Sequence, residues 1–351
     1  MLSTSRLELQ PADGTHRPVD IESPTQSASV NLRVGDWVEV RSAKEILATL
    51  DGGQALEGLP FMPEMLQYCG KRYQIGKSAH KTCDTIESYS IRRMERTVHL
   101  EDLRCDGEAH GGCQAGCRLF WKEAWLKPVP NDAGVETSEK RQSTLSTADI
   151  ECLHRASRLQ APEGEKRERY RCQATDLLKA TTQVRRRDRL NPFFYLKDLT
   201  SGNVSLYVLI RYGAMAALNA FMLRWFGWRF PRLQGRASSK TPEQLLNLQP
   251  GDLVQVRSKT EIMQTLNSSL RNRGLSFDPE LVQYCEGGTF RVLRRVDRIV
   301  NEKTGYMTVL PNPCMILDGV TCTGTVSAQR MFCPRAVYPY WHEVWLKRAK
   351  Q

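Results

Sequence analysis

The sequence predicts an α+β protein made of two small β-barrels, related by tandem duplication and separated by a basic α-helical module. Three observations carry this expectation. A segment beginning at Gly35 returns at Gly251, short alternating runs recur at close intervals in both copies, and the stretch between the copies is basic and carries helix signals. At 351 residues the chain exceeds the usual size of one domain, and its 40% hydrophobic content suits a folded, soluble protein.

The duplication is the strongest of the three. "GDWVEVRSAKEILATLDGGQALEGLPFMPEMLQYC" at 35–69 and "GDLVQVRSKTEIMQTLNSSLRNRGLSFDPELVQYC" at 251–285 are identical at 18 of 35 positions. The closing segments "FWKEAWLK" and "YWHEVWLK" place Trp121 on Trp341 and Trp125 on Trp345. Each copy opens with a Gly-Asp turn and then alternates, with Val38 and Val40 in the first and Val254 and Val256 in the second, which reads as a half-buried strand. Apolar residues at helical spacing follow, Ile46, Leu47 and Leu50 against Ile262, Met263 and Leu266. Further strand-like runs are "RYQIGK" with "TFRVLRRV", "VHLEDL" with "MTVL" and "MILDGV", and "EAWLKPV" with "EVWLKRA". Short strands joined by glycine-rich turns suit a small barrel, and the Gly-Asp-x-Val opening resembles SH3-like β-barrels.

These signals divide the chain into a flexible tail (1–30), a first SH3-like barrel with a Cys/His-rich loop (31–130), a linker (131–146), a basic helical module (147–249) and a second SH3-like barrel (250–351). The tail has no apolar core and carries Glu8, Asp13, Asp20 and Glu22, so neither a signal nor a transit peptide is expected. Net charge is +11, and residues 131–249 hold 20 Lys/Arg against 12 Asp/Glu, a difference of +8. That module suits anionic partners, nucleic acid or a membrane surface among them. Within it, 146–159 and 165–182 read as helices, the first with a capping-box start at Ser146 and Asp149. Residues 204–228 are the most apolar stretch, and their polar residues Ser205, Arg211, Asn219 and Arg224 scatter around a helical wheel. The expectation is a core helix packed against the barrels. Membrane contact is the alternative, with a full span opposed by Arg211, since arginine mid-membrane costs about 2.5–3.5 kcal/mol.

Eleven cysteines, an odd number, argue for reduced thiols or metal ligands over a disulfide framework. "RCDGEAHGGCQAGC", Arg104 to Cys117, packs three cysteines, one histidine and four glycines into 14 positions. Cys69 with Cys285, Cys105 with Cys322 and Cys113 with Cys333 recur between copies, which suits packing, most of all for Cys69 and Cys285. His80, Cys83, His110 and Cys117 have no counterpart. The candidate metal ligands are therefore His80, Cys83, Cys105, His110, Cys113 and Cys117, donors suited to zinc or an iron–sulfur cluster. Cys152, His154 and Cys172 on two expected helices form a weaker second candidate, and Cys314 has no evident partner. The spacing Cys105-x7-Cys113-x3-Cys117 offers one short pair where structural zinc sites usually offer two.

No Walker A loop, dinucleotide fingerprint, nucleophile elbow or His-Glu-x-x-His helix occurs. Glu123 and Glu343, matched between copies, read as strand-end or turn residues. The phrases "GDWVEVRS", "LPFMPEMLQYCGK", "HKTCDT", "RCDGEAHGGCQAGC", "FWKEAWLK", "YRCQATDLLKATT" and "GDLVQVRS" resemble a family of uncharacterised bacterial proteins with duplicated SH3-like modules, over most of 33–349. The resemblance implies a bacterial, cytoplasmic context and an association with exopolysaccharide or other biosynthetic gene clusters, while the apolar stretch 204–228 allows a peripheral place at the inner membrane. It carries over no functional residues. The expected function is a metal-binding accessory protein with a protein partner; a metal-dependent or redox enzyme using the Cys/His cluster and a nucleic-acid binder are the alternatives.

Overall fold

Strand Trp37–Val40 is the axis of the first copy. Val38 and Val40 are fully buried, and the strand pairs antiparallel with Arg72–Ser78 on one side and Leu126–Pro128 on the other. Thr97–Leu100 and Trp121–Lys122 extend the sheet. The second copy repeats the plan around Leu253–Val256, flanked by Thr289–Val300 and Leu346–Arg348, with Met307–Leu317 outermost. The computed structural model describes residues 32–130, 145–160, 162–165, 167–237, 241–285, 287–327 and 329–349. The expected tail and nearly all of the expected linker lie outside them.

The architecture is α+β, but neither sheet closes by backbone pairing among the described residues. In the first copy the outermost strands are joined by a 3₁₀ turn, Glu123–Trp125, and form no ladder with each other. In the second, the counterpart of Trp121–Lys122 shrinks to one bridge between Met315 and Trp341. An outer strand of two residues offers too few groups to continue a ladder, so the expected closed barrels are open sheets.

Each sheet covers a matched aromatic core. Trp121, Trp125, Trp341 and Trp345 are fully buried. Phe61 meets Trp125 edge-on at 5.4 Å and Phe277 meets Trp345 at 5.3 Å, contacts worth about 0.5–1.5 kcal/mol beyond area burial. The indole N–H of Trp125 donates to Thr49 at 3.1 Å, and that of Trp345 to Thr265 at 3.0 Å. The short helices Ala43–Leu47 and Lys259–Thr265 begin with the same capping box, Ser42 with Glu45 and Ser258 with Glu261.

The middle segment has no separate core among the described residues. From Leu32 onward the chain forms one compact unit. Leu153, Leu177 and Ala180 join the first core, and Leu248 joins the second. Helix Thr147–Ala156 forms as expected. Residues 165–182 do not: turns follow strand Arg169–Tyr170. Near the start of this stretch two backbone hydrogens go to distant partners, Tyr170 N to Gly305 O and Arg171 N to Ser157 O, and beyond them Asp176 N and Ala180 N close only local turns, on Cys172 O and Asp176 O. Gln173 inserts into the first copy, its side chain bonding Phe120 N, Phe120 O and Pro60 O. Tertiary contacts here override a helix-compatible sequence.

Helix Leu206–Phe226 corrects a second expectation. None of its residues is buried. It is long and apolar enough to cross a membrane by length and composition, yet it is not the core helix its sequence suggested.

A buried ion pair fixes the helix that precedes it. Lys81, on a three-stranded sheet with Ile91–Arg93 and Thr182–Gln183, is completely buried against Asp198 of helix Phe193–Thr200. Its ammonium also lies 5.3, 4.9 and 5.6 Å from the ring centroids of Phe194, Tyr195 and Phe332. Burial pulls the Lys81 pKa down and Asp198 opposes that. Removing one partner of such a pair strands the other charge. Asp198→Asn is expected to lower the unfolding free energy by about 3–5 kcal/mol in urea titrations, and combining Lys81→Met with Asp198→Leu to recover most of it.

A candidate metal centre

The cysteine loop is built on a narrow neck. Arg104 bridges Arg118, and Cys105 N donates to Cys117 O at 2.8 Å, which sets these two cysteines side by side. Gly107 then turns the chain at φ +83°, Glu108–His110 forms one 3₁₀ turn, and Cys113 N returns to His110 O at 3.3 Å. Glycine is required at 107 twice over: φ is left-handed, and a Cβ would sit 2.0 Å from Cys113 O. The second copy keeps this device in Gly324, φ +66°, whose Cβ would lie 2.7 Å from Cys333 N.

Four thiols and an imidazole line one cavity of about 30 Å³: Cys105, Cys113 and Cys117 from the loop, His110 between them, and Cys172 from the middle segment. That volume is about one water molecule's share of the liquid. Val300 and Arg335 of the second copy close the far side. Val300 N donates to Cys113 Sγ at 3.3 Å, and the Gln114 side-chain oxygen Oε1 accepts from Asp297 N and Arg298 N.

A buried carboxylate stands beside the thiols. Glu64 Oε1 accepts from His110 Nδ1 at 2.5 Å and from Ala109 N at 3.1 Å, with Cys105 Sγ at 3.9 Å. Its Oε2 is buried with no hydrogen-bond partner. Glu64, Cys105 and His110 could hold a metal ion; they are the group of three donors lying within 4.8 Å of one another among the described residues. His110 Nε2 faces the carbonyl of Arg171 at 3.1 Å. Both imidazole nitrogens thus face acceptors, and both contacts are hydrogen bonds at once only when each carries a hydrogen. Burial raises the Glu64 pKa, but the His110 bond and charge outweigh it, and the carboxyl ends below its usual range.

Cys105, Cys117 and Cys172 are held neutral. Burial pushes Cys117 and Cys172 up to about 12, with neighbouring thiols adding to the effect, and lifts Cys105 well above its ordinary value. Arg335 opposes this at Cys117. A cation among them would reverse the balance, since thiolates are the ligands metals take.

Of the six ligands expected from sequence, Cys105, His110, Cys113 and Cys117 meet at this cavity. His80 and Cys83 do not. His80 Nε2 lies 3.3 Å from Asp198 and Nδ1 lies 3.2 Å from Ser78 Oγ, so it belongs to the Lys81 ion cluster. Cys83 pairs with the second copy: its N–H donates to Cys333 Sγ at 3.1 Å. A bond from the Cys333 thiol, aided by Arg335 and Arg330, lowers the Cys83 pKa against the effect of burial, and burial together with that bond raises Cys333. The weaker second candidate comes apart as well. Cys152 and His154 are exposed on helix Thr147–Ala156, whereas Cys172 lines the cavity. Cys69 is in the first core, Cys285 packs against the second, and Cys314 is buried 4.0 Å from His342 Nδ1. Glu343 accepts from Leu246 N, Asn247 N and Leu248 N, which suits a turn residue.

Sequence reasoning missed Glu64 and the role of Cys172. Glu64 had a signal: "PE" recurs as Pro279-Glu280 inside an otherwise apolar segment. Comparison with protein-family models, curated proteins and solved structures finds no match.

Two measurements probe this geometry. Gly112, φ +72°, has open space where a Cβ would go, so Gly112→Ala should cost only the left-handed penalty of about 1–2 kcal/mol. Gly107→Ala should cost clearly more and enlarge or disorder the loop, read by urea unfolding of both variants. In the metal-free protein, the raised thiol pKa values contribute stability that is complete below the ordinary thiol pKa of about 8.5 and is lost as pH rises towards about 12. Urea midpoints should therefore fall progressively above pH about 8.5, and Cys117→Ser should flatten that fall.

Proposed function

We propose that this protein binds a metal through Cys105, Cys113, Cys117 and Cys172, with Glu64 and His110 as the flanking pair, and that the centre is structural in an accessory, non-catalytic protein. The observation that carries this is the arrival of Cys172, 55 positions beyond Cys117 in the chain, at the cavity the loop cysteines line. Four soft donors complete a coordination shell and leave no open position for a substrate. A nucleophilic role for these thiols has less support, because neither nitrogen of His110 is free to act as base.

Four thiols suit zinc and an iron–sulfur cluster alike. A cavity of about 30 Å³ has room for a single ion and not for a cluster, so zinc is the favoured occupant. We further read the two sheets as open forms of an SH3-like barrel. The support is their shared order, with the first strand between second and last, and the 3₁₀ turn before the last strand in each copy. A binding role in a bacterial biosynthetic pathway follows from the family resemblance and remains part of this proposal.

Anaerobic purification with iron, sulfide and zinc analysis and a visible spectrum tests the reading. Colourless protein with stoichiometric zinc is expected. Cys113→Ser, Cys117→Ser and Cys172→Ser should each lose most of the metal, while Cys83→Ser and Cys152→Ser keep it. Brown protein containing iron and sulfide would replace zinc with a cluster; metal-free protein with all five variants silent would end the proposal. Because bound thiolates are deprotonated, affinity for added zinc should rise steeply with pH.

A further inference from the structure

Helix Leu206–Phe226 leaves the protein and comes back to it. Its start is tied to the first sheet, where Lys77 Nζ donates to Asn203 O at 2.6 Å and the Asn203 side chain bonds both Ser78 N and Ser78 O. Its far end turns at Gly227, φ +72°, and the chain folds back along the helix, with the Asn219 amide bonding both Phe230 N and Phe230 O at 2.8 and 3.0 Å. Arg236 N and Ala237 N then join the second copy at Met263 O and Leu266 O. The two copies hold each other at Cys83–Cys333 and Ile91–Gln329, and the middle segment joins the second copy at Tyr170–Gly305. Both ends of the helix are therefore fixed to one body, and the body cannot lie on opposite sides of a bilayer. Nor does the returning segment suit hydrocarbon, because irregular backbone exposed to lipid leaves polar groups unpaired.

Apolar residues run all round the helix, and one continuous sector of them is exposed throughout. At 100° per residue, Tyr207, Ile210, Ala214, Ala217, Leu218, Phe221 and Trp225 fall in one sector of roughly 100°, and every one is exposed. Ile210 is 63% exposed, Phe221 54% and Trp225 70%. Arg211 and Arg224 flank this sector on either side, both exposed. The half-exposed residues Val208, Leu209, Tyr212, Ala216, Asn219 and Met222 take the opposite half, towards the returning segment. Met215, Leu223 and Phe226, also on that half, stay exposed. Between Leu199 and Pro242 there is no Asp or Glu, while there are five arginines and one lysine.

We infer that this helix docks the protein on an anionic lipid bilayer, lying in the plane of the interface with the Tyr207–Trp225 sector in the acyl boundary and Arg211 and Arg224 at the phosphates. The helix is apolar on all sides, so no polar face turns it in the interface; the tethers at both ends hold it in that plane, and its basic and aromatic residues are those that settle at headgroup level. At 21 residues it is about 31 Å long, a contact line for many lipids at once. Trp228, Arg229 and Arg232, just past its end, sit where aromatic and basic side chains settle at headgroup level. The uniform positive charge selects an anionic surface over a neutral one.

The full chain should be floated with vesicles of phosphatidylcholine alone and of phosphatidylcholine with phosphatidylglycerol. Binding to the anionic vesicles is expected, weaker by roughly tenfold or more on the neutral ones and weakened by salt. Ile210→Asp with Phe221→Asp should abolish it. Arg211→Gln and Arg224→Gln should each weaken it about fivefold. These side chains are exposed, so circular dichroism and metal content should match the parent, which separates this inference from the metal proposal. Failure to float with anionic vesicles would overturn it, whether the protein is then a monomer or a dimer that the aspartates dissociate. Flotation unaffected by the aspartate pair would overturn it as well.

Discussion

A buried carboxylate beneath each cysteine loop governs how both halves of this protein are put together. Glu64 and Glu280 occupy matched positions, and both are nearly inaccessible to water. Glu280 accepts from Cys322 Sγ and from Thr323, Gly324 and Val326 N–H groups. Glu64 gathers Ala109 N, His110 and Cys105 in the same way. A buried carboxylate persists only where such donors converge on it, so each Glu dictates that the following loop curl over it. The curl brings Cys113 back over the neck in one copy and Cys333 in the other, and it presents both loops to the opposite copy.

From that shared frame the copies diverge. In the first, Cys117 adds a thiol where the second has Val337, and Cys172 adds another from the middle segment. In the second, the loop from Cys322 to Cys333 is three residues longer than its twin, and Cys83 reaches across from the first copy to meet Cys333. The paired hydrogen bonds of Val300 to Cys113 and Cys83 to Cys333 run in opposite directions across the junction. Each copy thus supplies a backbone N–H to the other's loop sulfur. The two matched loops pack against one another in two different sulfur environments.

How much of this could be read from sequence follows from the range of the interactions. The capping box at Ser146 and Asp149, the strands after the Gly-Asp turns and the paired tryptophans are local or repeated signals, and each stands where the sequence puts it. The three loop cysteines and His110 are close in sequence and stay close in space. What was not legible depends on distant partners. His80 is claimed by Asp198, and Cys83 by Cys333, 250 positions away. Residues 165–182 carry no helix breaker between Glu165 and Thr182, yet Gln173 fits the first core better than a helix would allow. Cys172 was grouped with Cys152 on the strength of a helix that does not form.

The exposed helix is where local sequence and tertiary structure disagree most. Isolated helices gain little stability in water from propensity alone and usually rely on packing an apolar face. This one packs no buried residue, although its apolar content matches a core helix. Its root, by contrast, is among the most firmly held parts of the molecule: the Lys81–Asp198 pair, the three aromatic rings around Lys81 and the Asn203 bonds to Ser78 fix the residues just before it. A rigid root under an uncovered apolar rod makes sense if orientation matters, because a docking element must hold its face at a set angle to the body. The same ion cluster that removes His80 from the metal ligands therefore serves to aim the helix.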